Sequence, residues 1–259
     1  MIPYGKHHLD QDDIDSVVSV LKSGILTQGP FVDKFEAEIA SYVGAKYAVA
    51  VSSCTAGLRI AALAAGVGKG DEIITTPISF VASANCAIYA GGKTSFSDIN
   101  YETLNLDPSL LSRKLLNNNK IKVIVPVHYA GLPCDMLAIK RIADEFGLLV
   151  IEDAAHALGA RYVSGDMVGS CKDSLMTVFS LHPVKSISAG EGGVITTNNE
   201  GVYRKLLRLR SHGINKLNDD FIHHNRAIID NKSALWYYEM QELGFHYRIT
   251  DIQCALALS

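Results

Sequence analysis

The chain has 259 residues, 48% of them hydrophobic and 20% charged, with a formal net charge of −3. That is the balance of a globular protein with a substantial core, and the length fits one large α/β domain with part of a second. It gives no electrostatic footprint for nucleic acid or an anionic membrane surface, and the apolar runs stop well short of the ~20 residues of a membrane span. The opening Met1-Ile2-Pro3-Tyr4-Gly5-Lys6 lacks a signal-peptide core, so cytoplasm is the expected compartment.

Helical apolar spacing runs from about Ile14 to Leu21 and from about Phe31 to Tyr42. Tyr47 to Val51 is a short apolar run suited to a buried parallel strand, and Ser52 to Thr55 then supplies N-cap chemistry for an Ala- and Leu-rich helix to about Ala65. Asp71 to Thr76 is a second strand, followed by a helix through Asn85 and Ala90. Ile121 to Val127 is a third strand, Met136 to Phe146 a helix, and Leu148 to Ile151 a fourth strand with Asp153 at its carboxyl end. Leu175 to Ser180 and Val194 to Thr197 are further strands, followed by a helix from about Gly201 to Leu209 whose Arg204, Lys205, Arg208 and Arg210 form a solvated charged face. Asn215 to Lys232 reads as a loop. The chain stops at Ser259 inside an amphipathic pattern without a capping residue, which reads as truncation.

Strands alternating with helices imply a mostly parallel, doubly wound α/β sheet with helices on both faces, in which ligands collect beyond the carboxyl ends of the strands. Five cysteines (Cys54, Cys86, Cys134, Cys171, Cys254) lie scattered with no close pair, against both a disulfide framework and a zinc site.

Three segments that follow strands carry chemistry. In Phe179-Ser180-Leu181-His182-Pro183-Val184-Lys185 an apolar strand runs into one lysine beside Gly190-Glu191-Gly192-Gly193. A desolvated lysine there can attack a carbonyl carbon as the neutral amine; a surface or buried lysine is the bland alternative. Glu152-Asp153-Ala154-Ala155-His156 sets a carboxylate where a cofactor's ring nitrogen would need a partner, or simply an N-cap aspartate. Ser52-Ser53-Cys54-Thr55-Ala56-Gly57 is a helix start able to bind an anion, or to do no more than cap. Phe80 stands just past a strand, free to stack on a planar ring or to fill the core.

Together these motifs resemble the DegT/DnrJ/EryC1/StrS sugar aminotransferases, among the fold-type I pyridoxal-phosphate (PLP) enzymes. The resemblance is carried by Leu26-Thr27-Gln28-Gly29-Pro30, Ser53-Cys54-Thr55-Ala56, Thr76 to Asn85, His128-Tyr129-Ala130-Gly131, Glu152 to His156, Phe179 to Lys185 and Glu191-Gly192-Gly193. It implies a PLP-binding large domain over 23–240, an N-terminal segment 1–22 lining the site, and in 241–259 the start of a connection to a small C-terminal domain that is largely missing. It implies that Lys185 carries PLP as a Schiff base and shuttles a proton, that Asp153 pairs with the ring nitrogen, that Phe80 stacks on the ring, and that His156 lies near its hydroxyl. Cys54, Thr55, Ala56 and Ser180 would surround the cofactor, its phosphate held by the last three. Tyr4, Gly24, Ile25, Leu26, Thr27, Cys54, Ser180 and His246 would line a sugar-nucleotide pocket. His246 and Arg248 would reach the neighbouring site of a homodimer; many relatives carry asparagine where Arg248 or its neighbour stands. Within the family the chain is most similar to the branch that moves an amino group from glutamate to C4 of a UDP-linked 4-keto-6-deoxy-N-acetylamino sugar, as in pseudaminic acid-type biosynthesis. Related dehydratases carry histidine in place of the lysine, so Lys185 points to transamination. The alternatives are an inactive fragment that at most binds PLP, and another fold-type I reaction.

Overall fold

A computed structural model of the chain describes residues 5–215, 221–229, 232–234 and 236–259. Helix α1 (Gln11–Ser23) is opened by a capping box, Asp10 accepting from the Asp13 N–H while Asp13 accepts from that of Asp10. It is followed by α2 (Pro30–Val43), with proline in the first turn where its missing N–H costs nothing. Strand β1 (Tyr47–Val51) leads into α3 (Cys54–Ala64), β2 (Glu72–Thr75) into α4 (Val81–Tyr89), and β3 (Lys93–Phe96) into α5 (Pro108–Leu115). Then come β4 (Ile121–Val125), α6 (Met136–Phe146), β5 (Leu149–Asp153), β6 (Met176–Ser180), β7 (Gly193–Thr197), α7 (Glu200–Arg210), the one-turn α8 (His224–Ala227) and α9 (Asp251–Leu258).

The seven strands form one sheet in the order β1-β7-β6-β5-β4-β2-β3. All neighbours run parallel except β7, which is antiparallel to β1 and to β6. The sheet is therefore mostly parallel, with the carboxyl ends of β1, β2, β4, β5 and β6 and the start of β7 on one edge. Side chains alternate between its faces, as the pleat requires. In β1, Val49 and Val51 join a core with Leu58, Val123, Met176 and Leu206, while Ala48 and Ala50 join Phe35, Phe179, Leu181 and Val194 on the opposite side. A third cluster lies around Ile74, Leu111, Ile124 and Ile139, beneath α5 and α6. Among the described residues no helix is long and apolar enough to cross a membrane.

Several elements differ from the sequence reading. Strand β3 and helix α5 appear where none was expected: β3 is a four-residue edge strand with half-exposed Lys93, Thr94, Ser95 and Phe96, so it lacks the apolar run that marks a buried strand. Arg208 and Arg210 do not belong to a solvated face. Arg208 pairs with Glu242 at 3.0 Å, and Arg210 turns inward to Glu36 and to the Ala50 carbonyl. Burial pushes the Glu36 carboxyl up, against which the Arg210 guanidinium and the Ala50 N–H act. This contact ties α7 to α2 and β1. Within the expected loop, the described residues pair in two-residue ladders, Ile214–Asn215 with Glu239–Met240 and Ile228–Ile229 with Lys232–Ser233.

At the edge where the strands end, β7 begins on a residue that has no room for a side chain. A Cβ on Gly193 would lie 2.6 Å from the Cys54 nitrogen and 2.7 Å from the Ser53 carbonyl carbon, both backbone atoms. Gly193→Ala is expected to destabilise the fold by about 2 kcal/mol or more, because neither backbone can yield cheaply. Urea unfolding of the two proteins measures this, and an unchanged midpoint would show that the approach is not tight.

Candidate active site

A cavity of about 670 Å³ opens at the carboxyl edge of the sheet. Segments at the ends of five strands contribute to its wall: Ser53, Cys54 and Thr55 after β1, Pro77 to Phe80 after β2, Val127 to Tyr129 after β4, Asp153, Ala155 and His156 from β5, and Ser180, His182, Val184 and Lys185 from β6. Glu191, ahead of β7, closes the ring.

The floor is the carboxylate of Asp153, 4% exposed. Its Oδ1 accepts the N–H of Ala155 at 3.1 Å and its Oδ2 the hydroxyl of Ser83 at 2.6 Å. The preceding Glu152 engages a separate buried group of donors. Tyr162, Ser174 and Thr177 hydroxyls and His128 Nε2 all lie within 2.8 Å of its oxygens. Since the Cys134 N–H donates to His128 Nδ1, the imidazole proton sits on Nε2 and goes to Glu152. Burial acts against the charge of Glu152, but the His128, Ser174 and Tyr162 donors outweigh it and hold the carboxyl below its usual range.

Lys185 reaches across the cavity, with Nζ 2.6 Å from His156 Nε2. Partial burial, and then the neighbouring Lys185 charge, lower the His156 pKa, so near neutral pH the ring is uncharged and accepts from the amine. The Cys54 thiol is pushed well above its ordinary range, first by burial and then by the charge of Asp153. It is a neutral wall group rather than a nucleophile. Helix α3 points its N-terminus at the cavity, capped by Ser53, whose hydroxyl accepts the Ala56 N–H at 3.1 Å. The amides of Cys54 and Thr55 at the start of the helix have no carbonyl of the preceding turn to meet. Phe80, the N-cap residue of α4, is 73% exposed and lies in the wall, not in the core.

Of the residues singled out in the sequence, Lys185, Asp153, His156, Phe80, Cys54, Thr55 and Ser180 therefore meet at one cavity. Ala56 is buried behind it, its N–H already taken. Gly24, Ile25, Leu26 and Thr27 lie elsewhere, between α1 and α9: Thr27 bridges to Thr250, and Leu26 accepts from the Asp251 N–H. His246 bridges to Ser211 and packs its ring 5.3 Å from that of His212. Arg248 lines a separate pocket of about 150 Å³ with Gln28, Asp33 and Arg210. Tyr4 falls outside the described residues. The sequence reading did not single out Ser79, Ser83, His182 or Glu191. For Ser79 and Ser83 a signal was present, two hydroxyls four apart across a helix start just after Pro77.

The family model of the DegT/DnrJ/EryC1/StrS aminotransferases matches residues 7–259. The chain belongs to this family. It is 41% identical over 257 residues to the spore coat polysaccharide biosynthesis protein SpsC of Bacillus subtilis, covering 99% of this chain and 63% of that protein. It is 38% identical over 260 residues to the UDP-4-amino-4,6-dideoxy-N-acetyl-beta-L-altrosamine transaminase of Campylobacter jejuni, covering 100% and 64%. Among solved structures, Helicobacter pylori PseC, an aminotransferase involved in the biosynthesis of pseudoaminic acid, superposes with a TM-score of 0.85 at 33% identity, over 99% of this chain and 64% of that one. The chain thus spans a little under two thirds of the length of these relatives. The mostly parallel α/β architecture is that of the family's solved members.

The His156 ring should titrate below its ordinary range, and Lys185→Ala should raise its pKa by removing the adjacent positive charge. Histidine NMR across pH 5 to 8 measures both. A lower value in the variant would contradict the contact between the two side chains.

Proposed function

We propose that this chain is a PLP-dependent aminotransferase that moves an amino group from L-glutamate to C4 of a UDP-linked 4-keto-6-deoxy-N-acetylamino sugar, in nucleotide-sugar synthesis of the pseudaminic acid type. The observation that carries the reading is the meeting of a primary amine, a buried carboxylate, an exposed aromatic ring and a helix N-terminus on one cavity in a member of this family. The named activity of the Campylobacter jejuni relative supports the substrate class.

The donor set fits the cofactor group by group. Lys185 supplies an amine for the PLP aldehyde, Asp153 an acceptor for its ring nitrogen, and Phe80 a face for its ring. The α3 N-terminus, the Thr55 and Ser180 hydroxyls and the amide of Thr55 suit a phosphate, with Ala56 contributing through the helix dipole, its amide being engaged. Gly193 lets β7 lie against that helix start, where any side chain would intrude. When bound, PLP supplies a carbonyl that takes up an amino group and a ring that withdraws electrons from the adjoining carbon.

The chain's own residues would do the rest. Lys185, freed from the cofactor, is the group placed to carry a proton between substrate carbon and cofactor, since it is the amine on the cavity wall. His156 accepts a hydrogen bond from Nζ, which keeps the amine directed into the cavity. The Asp153 carboxylate holds a proton on the ring nitrogen, each pKa unit of that shift being worth about 1.4 kcal/mol. Cys54 and Ser180 border the space left for the sugar nucleotide. His246 and Arg248, standing away from their own chain's cavity, would reach a neighbouring subunit's site in a homodimer.

The test uses the 259-residue chain. Mixed with PLP it should develop a visible absorption band that glutamate bleaches and that a UDP-4-keto sugar restores, with the amino sugar as product. Lys185→Ala should abolish the band. A band that survives this substitution removes Lys185 from its role, and a bleached protein that never aminates the sugar overturns the assigned reaction in favour of an inactive fragment or another PLP chemistry.

A further inference from the structure

Ser83 is fully buried at the third position of α4. Its Oγ lies 2.6 Å from Asp153 Oδ2, 3.2 Å from the Phe80 carbonyl and 2.5 Å from Ser79 Oγ. A hydroxyl has one proton to give, and an ionised carboxylate can only accept. The short, charge-assisted contact therefore takes the Ser83 proton. Ser79 is left as the donor to Ser83. The chain has one direction: Ser79 O–H to Ser83 O–H to Asp153. Each bond polarises the next, and the outer hydroxyl lies on the cavity wall, where it shows its lone pairs and not its proton.

With the Ala155 N–H on Oδ1, the Asp153 carboxylate is gripped at both oxygens by groups from two different segments, the loop that follows β5 and the start of α4. Two such bonds fix its plane. We propose that Ser83, held by Ser79, is a positioning residue that sets the plane of the Asp153 carboxylate, so that its remaining lone pairs meet a protonated ring nitrogen in the cavity. The inference rests on the reading of this cavity as a PLP site.

The experiment separates the two. Apparent dissociation constants are measured by calorimetry for PLP and for its analogue with carbon in place of the ring nitrogen, on the wild-type chain and on Ser83→Ala, Ser79→Ala and Asp153→Asn. Circular dichroism melts check that each variant is folded. Ser83→Ala should weaken PLP about tenfold, the scale of one hydrogen bond to a charged group, and leave the analogue within about twofold of wild type. Ser79→Ala, which keeps the bond to Asp153, should weaken PLP about threefold, again with the analogue unmoved. Asp153→Asn should weaken PLP more than either. If Ser83→Ala weakens PLP and the analogue equally, the serine is merely structural and the proposal falls. It falls as well if Asp153→Asn weakens PLP while both serine variants bind like wild type. A wild-type chain that binds neither compound overturns the cofactor reading itself, and this inference with it.

Discussion

The site depends on one close approach between two backbones, that of Gly193 to the Ser53–Cys54 peptide. Strand β7 runs against its neighbours, so its first residue lies on the edge where β1 and β6 finish. A side chain at that residue would push β7 away from the start of α3 and with it the whole connection from β6. Lys185 lies in that connection, and the α3 N-terminus is what it must face. One absent methyl group thus sets the separation between an amine and the start of α3. The antiparallel strand in an otherwise parallel sheet is what makes this possible: a parallel β7 would carry the connection to the opposite edge, away from every other loop of the site.

Strand β5 shows how the sheet tolerates two consecutive buried carboxylates. Glu152 and Asp153 fall on opposite faces because the pleat alternates. Glu152 is surrounded by donors from His128, Tyr162, Ser174 and Thr177, so its charge is fully engaged and it ties β4, β5 and β6 together. Among the described residues the Asp153 carboxylate has two donors, and lone pairs remain for the cavity. Burying a carboxylate costs much unless donors meet it. Glu152 answers that cost within the protein, whereas Asp153 answers it in part and leaves capacity for a ligand. The two acids differ in this satisfaction, not in depth.

Much of this was legible in the sequence because strand ends are legible. The apolar runs of β1, β4, β5 and β6 stop abruptly, and in a doubly wound sheet the residues just beyond such a stop lie at the ligand edge. Lys185, Asp153, Phe80 and the Ser53–Thr55 turn were found in that way, without any contact being known. The contacts set by tertiary packing left no such mark. Arg210 sits in a charged helical run, and nothing in its spacing says that its guanidinium folds inward to Glu36, far back on α2. The edge strand β3 has no apolar run because, among the described residues, it pairs on one side alone and its side chains are partly or fully exposed. The bond from Ser83 to Asp153 joins residues 70 apart in sequence, and helical periodicity gives the face of a residue, not the strand it meets. For His246 and Arg248 the family resemblance named residues that the chain's own cavity does not contain.

The protonation of the cavity has its origin in the same geometry. Cys54 and His156 both border Lys185 and Asp153, and both are driven toward their neutral forms, the thiol by burial and the negative charge of Asp153, the imidazole by burial and the positive charge of Lys185. Each neutral group thus lies beside a charged neighbour, Cys54 beside Asp153 and His156 beside Lys185. The wall then contains the Lys185 amine, the Asp153 and Glu191 carboxylates and the start of α3, spaced around an uncharged thiol and an uncharged imidazole. A thiolate at Cys54 would stand near the Asp153 carboxylate and be repelled by it. An imidazolium at His156 would oppose the approach of Lys185. Keeping both neutral removes a second negative charge from beside Asp153 and a second positive charge from beside Lys185.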